Sequence, residues 1–227
     1  MDKQKYEKEI EIILKQNNTE YELYPLIANI MAPTLNGLSL RYVFARQRSK
    51  LGKIYYGISG FPDMAILDPS FANIELENIS VDNRNQLKGC VEVKAYGQEL
   101  FRLEYLKKFA ADKVEHSIKE TRNVGQLLGE ILWYKKVLYT NGVEWKLFTL
   151  KHNSDTEKKI IEIVNNKKCV DGDSSKINDE KPDKKEEWWK DPVVSNIIQN
   201  DIEEQILTND CMKNWDDFLS AIEKIKW

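Results

Sequence analysis

Glu92 and Lys94 stand two residues apart in the run GCVEVKAYG, residues 89 to 97. Val91 and Val93 are β-branched and glycines bracket the run, which predicts a β-strand. Side chains alternate along a strand. Val91, Val93 and Ala95 then share one face, and a carboxylate and an ammonium share the other. Upstream, Asp63 follows Pro62 in SGFPDMAILD. Proline suits the start of a strand, so Asp63 is expected at a strand entrance beside the strand that carries Glu92. Two carboxylates held together repel unless a cation lies between them. Hard oxygen donors with spare positions for water suit Mg²⁺ or Mn²⁺. Lys94 beside such a cation could hold or polarise an attacking water. The cation would lower the pKa of that water and stabilise charge on a phosphoryl oxygen.

The elements that must position these groups follow from periodicity and turn chemistry. Residues 2 to 16 and roughly 19 to 31 read as helices, the second with Thr19 as a cap and Leu23, Leu26, Ile27 and Ile30 as its apolar positions. Residues 54 to 58 (IYYGI) and 63 to 67 (DMAIL) read as strands on either side of a Gly60-Phe61-Pro62 break, and residues 101 to 117 as a helix. Residues 123 to 136 form another helix, with Leu127, Leu128, Ile131 and Leu132 as its buried stripe. Asn141-Gly142 lies between two β-rich runs and predicts a hairpin turn, and Trp145 beyond it reads as core. Residues 158 to 164 (KKIIEIV) are expected to add a strand. A mixed α/β core with helices flanking a central sheet accounts for this order.

Composition sets the limits. A chain of 227 residues with 41% hydrophobic residues can bury one good core and a small appendage. No apolar run approaches the ~18 residues of a membrane span, and the charged amphipathic start lacks the apolar region of a signal peptide. Cys90, Cys169 and Cys211 are too few and scattered for a disulfide framework or a zinc site, so a reducing cytoplasm is the expected setting. With His116 and His152 the only histidines, a His-rich metal site or a Ser-His-Asp triad is improbable. The net charge of −3 shows no global affinity for nucleic acid, yet residues 41 to 53 (RYVFARQRSKLGK) carry five basic residues and no acid. That run reads either as a solvated basic loop or as a phosphate-binding segment. Residues 168 to 186 are polar and mixed in charge and read as a linker or mobile loop. Beyond them, helical patterns return, with Trp188 and Trp189 suited to helix packing or, less commonly, base stacking.

Pro62-Asp63 followed by Glu92-Val93-Lys94 on a later strand resembles the PD-(D/E)xK nuclease superfamily. Three neighbours support the resemblance. NTEYELYPLI, residues 18 to 27, looks like the N-terminal helix of restriction-enzyme nuclease domains, where a Thr-Glu pair precedes an aromatic and proline element. GQLLGEILWYKK resembles the helix after the catalytic strand, with Gln126 in the place of its glutamine. YTNGVEWKLF, residues 139 to 148, resembles the Thr-Asn-Gly-x-x-Trp hairpin of type I and related restriction nucleases. Order and spacing agree across residues 18 to 150. One departure is Glu130, where the helix often carries the tyrosine of Gln-x-x-x-Tyr.

The resemblance implies a restriction-endonuclease-like core, a central mixed β-sheet flanked by helices, over residues 1 to 167. The polar stretch at 168 to 186 and the helical patterns beyond it make residues 187 to 227 a helical C-terminal appendage, which the resemblance does not cover. The resemblance implies a divalent-metal-dependent endonuclease hydrolysing phosphodiester bonds, in restriction or defence against foreign DNA. Asp63 and Glu92 would bind Mg²⁺ (Mn²⁺ substituting) with the backbone carbonyl of Val93. Lys94 would orient or activate water, Glu20 would hold a second metal or a bridging water, and Gln126 would position Lys94 or the phosphate. Arg46, Arg48 and Lys50 would contact the nucleic-acid backbone. The implied partners are DNA, with RNA open, and a restriction-modification subunit or a second copy in a homodimer; no membrane is implied. Competing readings attach to two residues. Glu20 has rivals in Glu7, Glu9, Glu11 and Glu22, with Thr19-x-x-Glu22 also reading as a capping box, and Gln126 reads equally as a cap of local backbone. A non-catalytic nucleic-acid-binding or assembly subunit that keeps the fold is the alternative.

Overall fold

The computed structural model describes residues 1–43, 54–74, 81–115, 117–151, 154–166 and 187–227. Six strands form one mixed sheet: β1 (Ser39–Tyr42), β2 (Met64–Leu67), β3 (Leu87–Val93), β4 (Lys136–Thr140), β5 (Trp145–Leu150) and β6 (Ile202–Thr208). They lie side by side in chain order. Every neighbouring pair is antiparallel except β3 and β4, which run parallel. A parallel pair needs a long crossover. Here the crossover contains α3 (Leu103–Ala110) and α4 (Ile118–Tyr134).

Strand alternation divides the core in two. Met64, Ile66, Val91, Val93 and Leu138 face a cluster shared with α1 (Lys3–Gln16) and α2 (Glu20–Met31). Ala65, Leu67, Cys90, Val137 and Tyr139 face the other cluster, where α4 packs. The expected stripe of α4 is buried, with Leu127, Leu128, Ile131 and Leu132 all at 0 or 1% exposure. Its start lies earlier than residue 123. Ser117 accepts from the Glu120 N–H while the Glu120 carboxylate accepts from the Ser117 N–H, a complete capping box. The hairpin forms as expected: Asn141 Oδ1 accepts from the N–H groups of Val143 and Glu144 at 2.9 and 2.7 Å, and Gly142 takes a φ of 82°. Trp145 is fully buried. At the start of α2, Thr19 makes no side-chain cap bond, so the alternative capping box with Glu22 does not form.

Four expectations are corrected. Residues 54–56 are helical and 57–59 form a turn, where a strand was expected. Ile54, Tyr55 and Ile58 are buried at helical spacing, and the first two offer their carbonyls to Trp133 Nε1 and Tyr134 OH at 2.6 and 2.8 Å. Gly57 has a φ of 55°, and a Cβ there would lie 2.4 Å from the Trp133 ring, so the approach of α4 requires glycine. The helix expected over residues 101 to 117 is confined to α3. The run KKIIEIV lies in a helix, α5 (Ser154–Asn166). Thr156, Ile160 and Ile163 turn one helical face to the core, and this overrides the β-branched composition.

The fourth correction concerns the helical appendage. Residues 187–227 supply β6, which pairs with β5 from Leu150↔Ile202 to Trp145↔Thr208. They also supply α6 (Pro192–Asn200) and α7 (Trp215–Glu223). Trp188, Trp189, Val194, Ile197 and Ile198 enter one core cluster; Trp215, Phe218 and Ile222 enter the other. The segment completes both faces of the sheet, and its two neighbouring tryptophans serve packing. The expected linker lies outside the described residues. No helix among the described residues is long and apolar enough to cross a membrane.

Candidate active site

The site begins with the β2–β3 ladder. Met64 pairs with Val91 in antiparallel register, so the next position along places Asp63 opposite Glu92 on the same face. Lys94 follows Glu92 by two residues and returns to that face. Its N–H continues the parallel pairing by donating to Thr140 O at 2.8 Å. Glu92 and Lys94 therefore meet at one end of the central strands, on the side where α4 packs, with Asp63 beside them just before β2.

Asp63 is half-buried and held from two directions. Its Oδ2 accepts from the Val93 N–H at 2.6 Å, and its Oδ1 accepts from the hydroxyl of Tyr24 on α2. Burial and the neighbouring Glu92 charge push the Asp63 carboxyl well above its ordinary range, against the pull of Tyr24, Val93 and Lys94. Burial and the same aspartate hold the Tyr24 hydroxyl protonated, far above ordinary tyrosine. The Val93 N–H thus anchors Asp63.

Glu92 is 3% exposed. Its Oε1 accepts from Lys94 Nζ at 2.6 Å and from Gln126 Nε2 at 3.2 Å; its Oε2 is buried with no hydrogen-bond partner. Burial and then the charge of Glu130 push the Glu92 carboxyl up to about 8, with Lys94 opposing. For Lys94, burial would lower the pKa, but Glu92, Tyr139 and Glu20 outweigh it and raise it. Lys94 is therefore an ammonium at neutral pH, suited to donating hydrogen bonds and stabilising negative charge, and unsuited to accepting a proton.

Gln126 and Glu130 come from the buried side of α4, one turn apart. Gln126 Nε2 reaches Glu130 Oε1 at 2.9 Å and Phe61 O at 3.4 Å, in addition to Glu92. An amide nitrogen has two hydrogens, so it serves chiefly the two nearer carboxylates. Glu130 is 2% exposed, its Oε2 is also buried without a partner, and burial pushes its carboxyl up to about 7. Glu20 sits in the first turn of α2, one turn before Tyr24, and its charge acts through space on Glu92, Lys94 and Tyr24.

The structure thus brings together Asp63, Glu92, Lys94 and Gln126, with Glu20 at the margin. Arg46, Arg48 and Lys50 lie outside the described residues. Sequence reasoning missed two participants. Tyr24 had no local signal beyond its place one helical turn after Glu20. Glu130 did carry one: it is an acid on the inward arc of an amphipathic helix, between Leu127 and Ile131, where burial without a partner is costly.

Whether a divalent cation fits can be judged from the buried oxygens. Two neighbouring carboxylates, Glu92 and Glu130, each keep one oxygen with no donor, and Lys94 bonds only the first. Hard anionic oxygens left in this state suit Mg²⁺ or Mn²⁺. Among the described residues no set of three or more His, Cys, Asp and Glu side chains is gathered closely enough to hold a metal ion. The fit is thus to a cation that keeps most of its water. The chain matches no family model, no curated protein and no solved structure.

Proposed function

We propose that this chain is a divalent-metal-dependent endonuclease of the PD-(D/E)xK kind, acting on DNA in restriction or defence, with a restriction-endonuclease-like core. One observation carries the reading: the pairing of Met64 with Val91 brings Asp63 beside Glu92, whose carboxylate also accepts from the Lys94 ammonium. Asp63 and Glu92 would hold Mg²⁺ or Mn²⁺ with the Val93 carbonyl, and Glu20 would add a second position. The bound cation would supply an activated water and charge stabilisation at phosphorus. Lys94, already charged, orients the attacking water and donates to a phosphoryl oxygen. Gln126 keeps Glu92 turned toward Lys94, and Tyr24 keeps Asp63 turned toward the β2–β3 end. Arg46, Arg48 and Lys50 would contact the DNA backbone.

A second reading has its own support. Both oxygens of Asp63 are engaged by Tyr24 and Val93, as in a structural buttress. This favours a non-catalytic nucleic-acid-binding or assembly subunit. Incubating the purified protein with duplex DNA, single-stranded DNA and RNA, each with Mg²⁺, Mn²⁺ or EDTA, separates the two. The enzyme reading expects cleavage that EDTA abolishes and that Lys94→Ala lacks. Binding without cleavage under every condition selects the second reading.

A further inference from the structure

The geometry points to Glu130 as a ligand of the divalent cation, paired with Glu92, so that α4 contributes a carboxylate of its own to the site. This rests on the cation chemistry of the proposed function but assigns a residue outside the Asp-Glu-Lys motif. Gln126 donates one nitrogen to both Glu92 Oε1 and Glu130 Oε1, at 3.2 and 2.9 Å, which makes the two carboxyl groups neighbours. The second oxygen of each is buried and has no hydrogen-bond partner. Both residues are at least nine-tenths buried, at 3 and 2% exposure.

Leaving a buried carboxylate oxygen without a donor is costly, and placing two side by side adds repulsion. A proton between the two carboxyl groups or a cation between them relieves both costs. Lys94 is already committed to the first oxygen of Glu92, and Gln126 has no third hydrogen to give. A hard cation held between the two neighbouring carboxyl groups would give both a partner. Mg²⁺ and Mn²⁺ suit the position because Mg²⁺-type sites use one or two carboxylates and retain several waters. The carboxamide of Gln126 then acts as the outer support that orients both ligands, as second partners of metal ligands commonly do.

The test uses Mn²⁺ alone and the full chain. Electron paramagnetic resonance or calorimetry should show Mn²⁺ binding to the wild type that weakens at least about tenfold in Glu130→Gln. Affinities within about twofold of each other would overturn the proposal, since a shared proton would then be satisfying the pair. Should Glu130→Gln fail to fold, anomalous diffraction from wild-type crystals soaked in Mn²⁺ decides. Density about 2.1 Å from a Glu130 oxygen is expected. Density on Asp63 and Glu92 with Glu130 out of contact, or no density, overturns it. The nuclease reading fails separately: Mn²⁺ binding that depends on Glu130, in a protein that cleaves no nucleic acid, upholds this ligand and rejects that activity. Metal-dependent cleavage with Mn²⁺ affinity indifferent to Glu130 does the reverse.

Discussion

The hydroxyl of Tyr24 donates to Oδ1 of Asp63. This contact ties α2 to the end of β2, from the opposite side of the sheet to α4. Together with the Val93 N–H on Oδ2, it fixes the carboxylate without a cation. Tyr24→Phe keeps the ring and removes the donor. It should destabilise the protein by about 1 kcal/mol, the cost of losing a hydrogen bond to a half-buried carboxylate. Urea denaturation in EDTA measures this, and a loss below about 0.3 kcal/mol would mean that water replaces the hydroxyl.

Asp63→Ala, Glu92→Ala and Lys94→Ala should each abolish cleavage while the protein stays folded, as circular dichroism would check. The three act as one unit, so double variants should lose little more than single ones. Cleavage by Lys94→Ala at the wild-type rate would falsify the assignment of that ammonium.

Metal-free stability should depend on pH through Glu92 and Glu130. Both carboxyls are raised from 4.5, to about 8 and about 7. Between those limits the native state holds protons that the unfolded chain has released. The stability they contribute is complete below about 4.5 and is lost as pH rises through about 7 and then about 8. In EDTA, Glu130→Gln cannot ionise there, so it should melt higher than wild type at pH about 8 and show a flatter decline from acid pH. Parallel melting curves for the two proteins across this range would show that Glu130 is not the titrating group.

Truncation before residue 187 should not yield a soluble core. It would remove β6, expose the edge of β5, and strip Trp189, Ile197 and Ile198 from one face and Phe218 from the other. Ile198→Ala alone, at a fully buried position, should cost about 2–5 kcal/mol. A truncated protein that melts cooperatively near the full-length temperature would restore the idea of a separate appendage.

Much of the motif strand was legible from local pattern. Period-two alternation in GCVEVKAYG put Glu92 and Lys94 on one face, and Pro62 set Asp63 at a strand entrance, because side-chain direction along a strand is a property of the chain itself. The α4 stripe and the Asn141-Gly142 turn were readable for the same reason. Partner choice was not. Ile197, Ile198, Ile202 and Ile206 are spaced as readily for a helix as for a helix followed by a strand, and the free edge of β5 decided the matter. KKIIEIV has strand composition, yet the core receives one helical face of it. Glu130 showed in the sequence only as an acid on the inward arc of α4. Its meeting with Glu92 through Gln126 depends on how α4 lies across β3, a long-range packing outcome that no local spacing encodes.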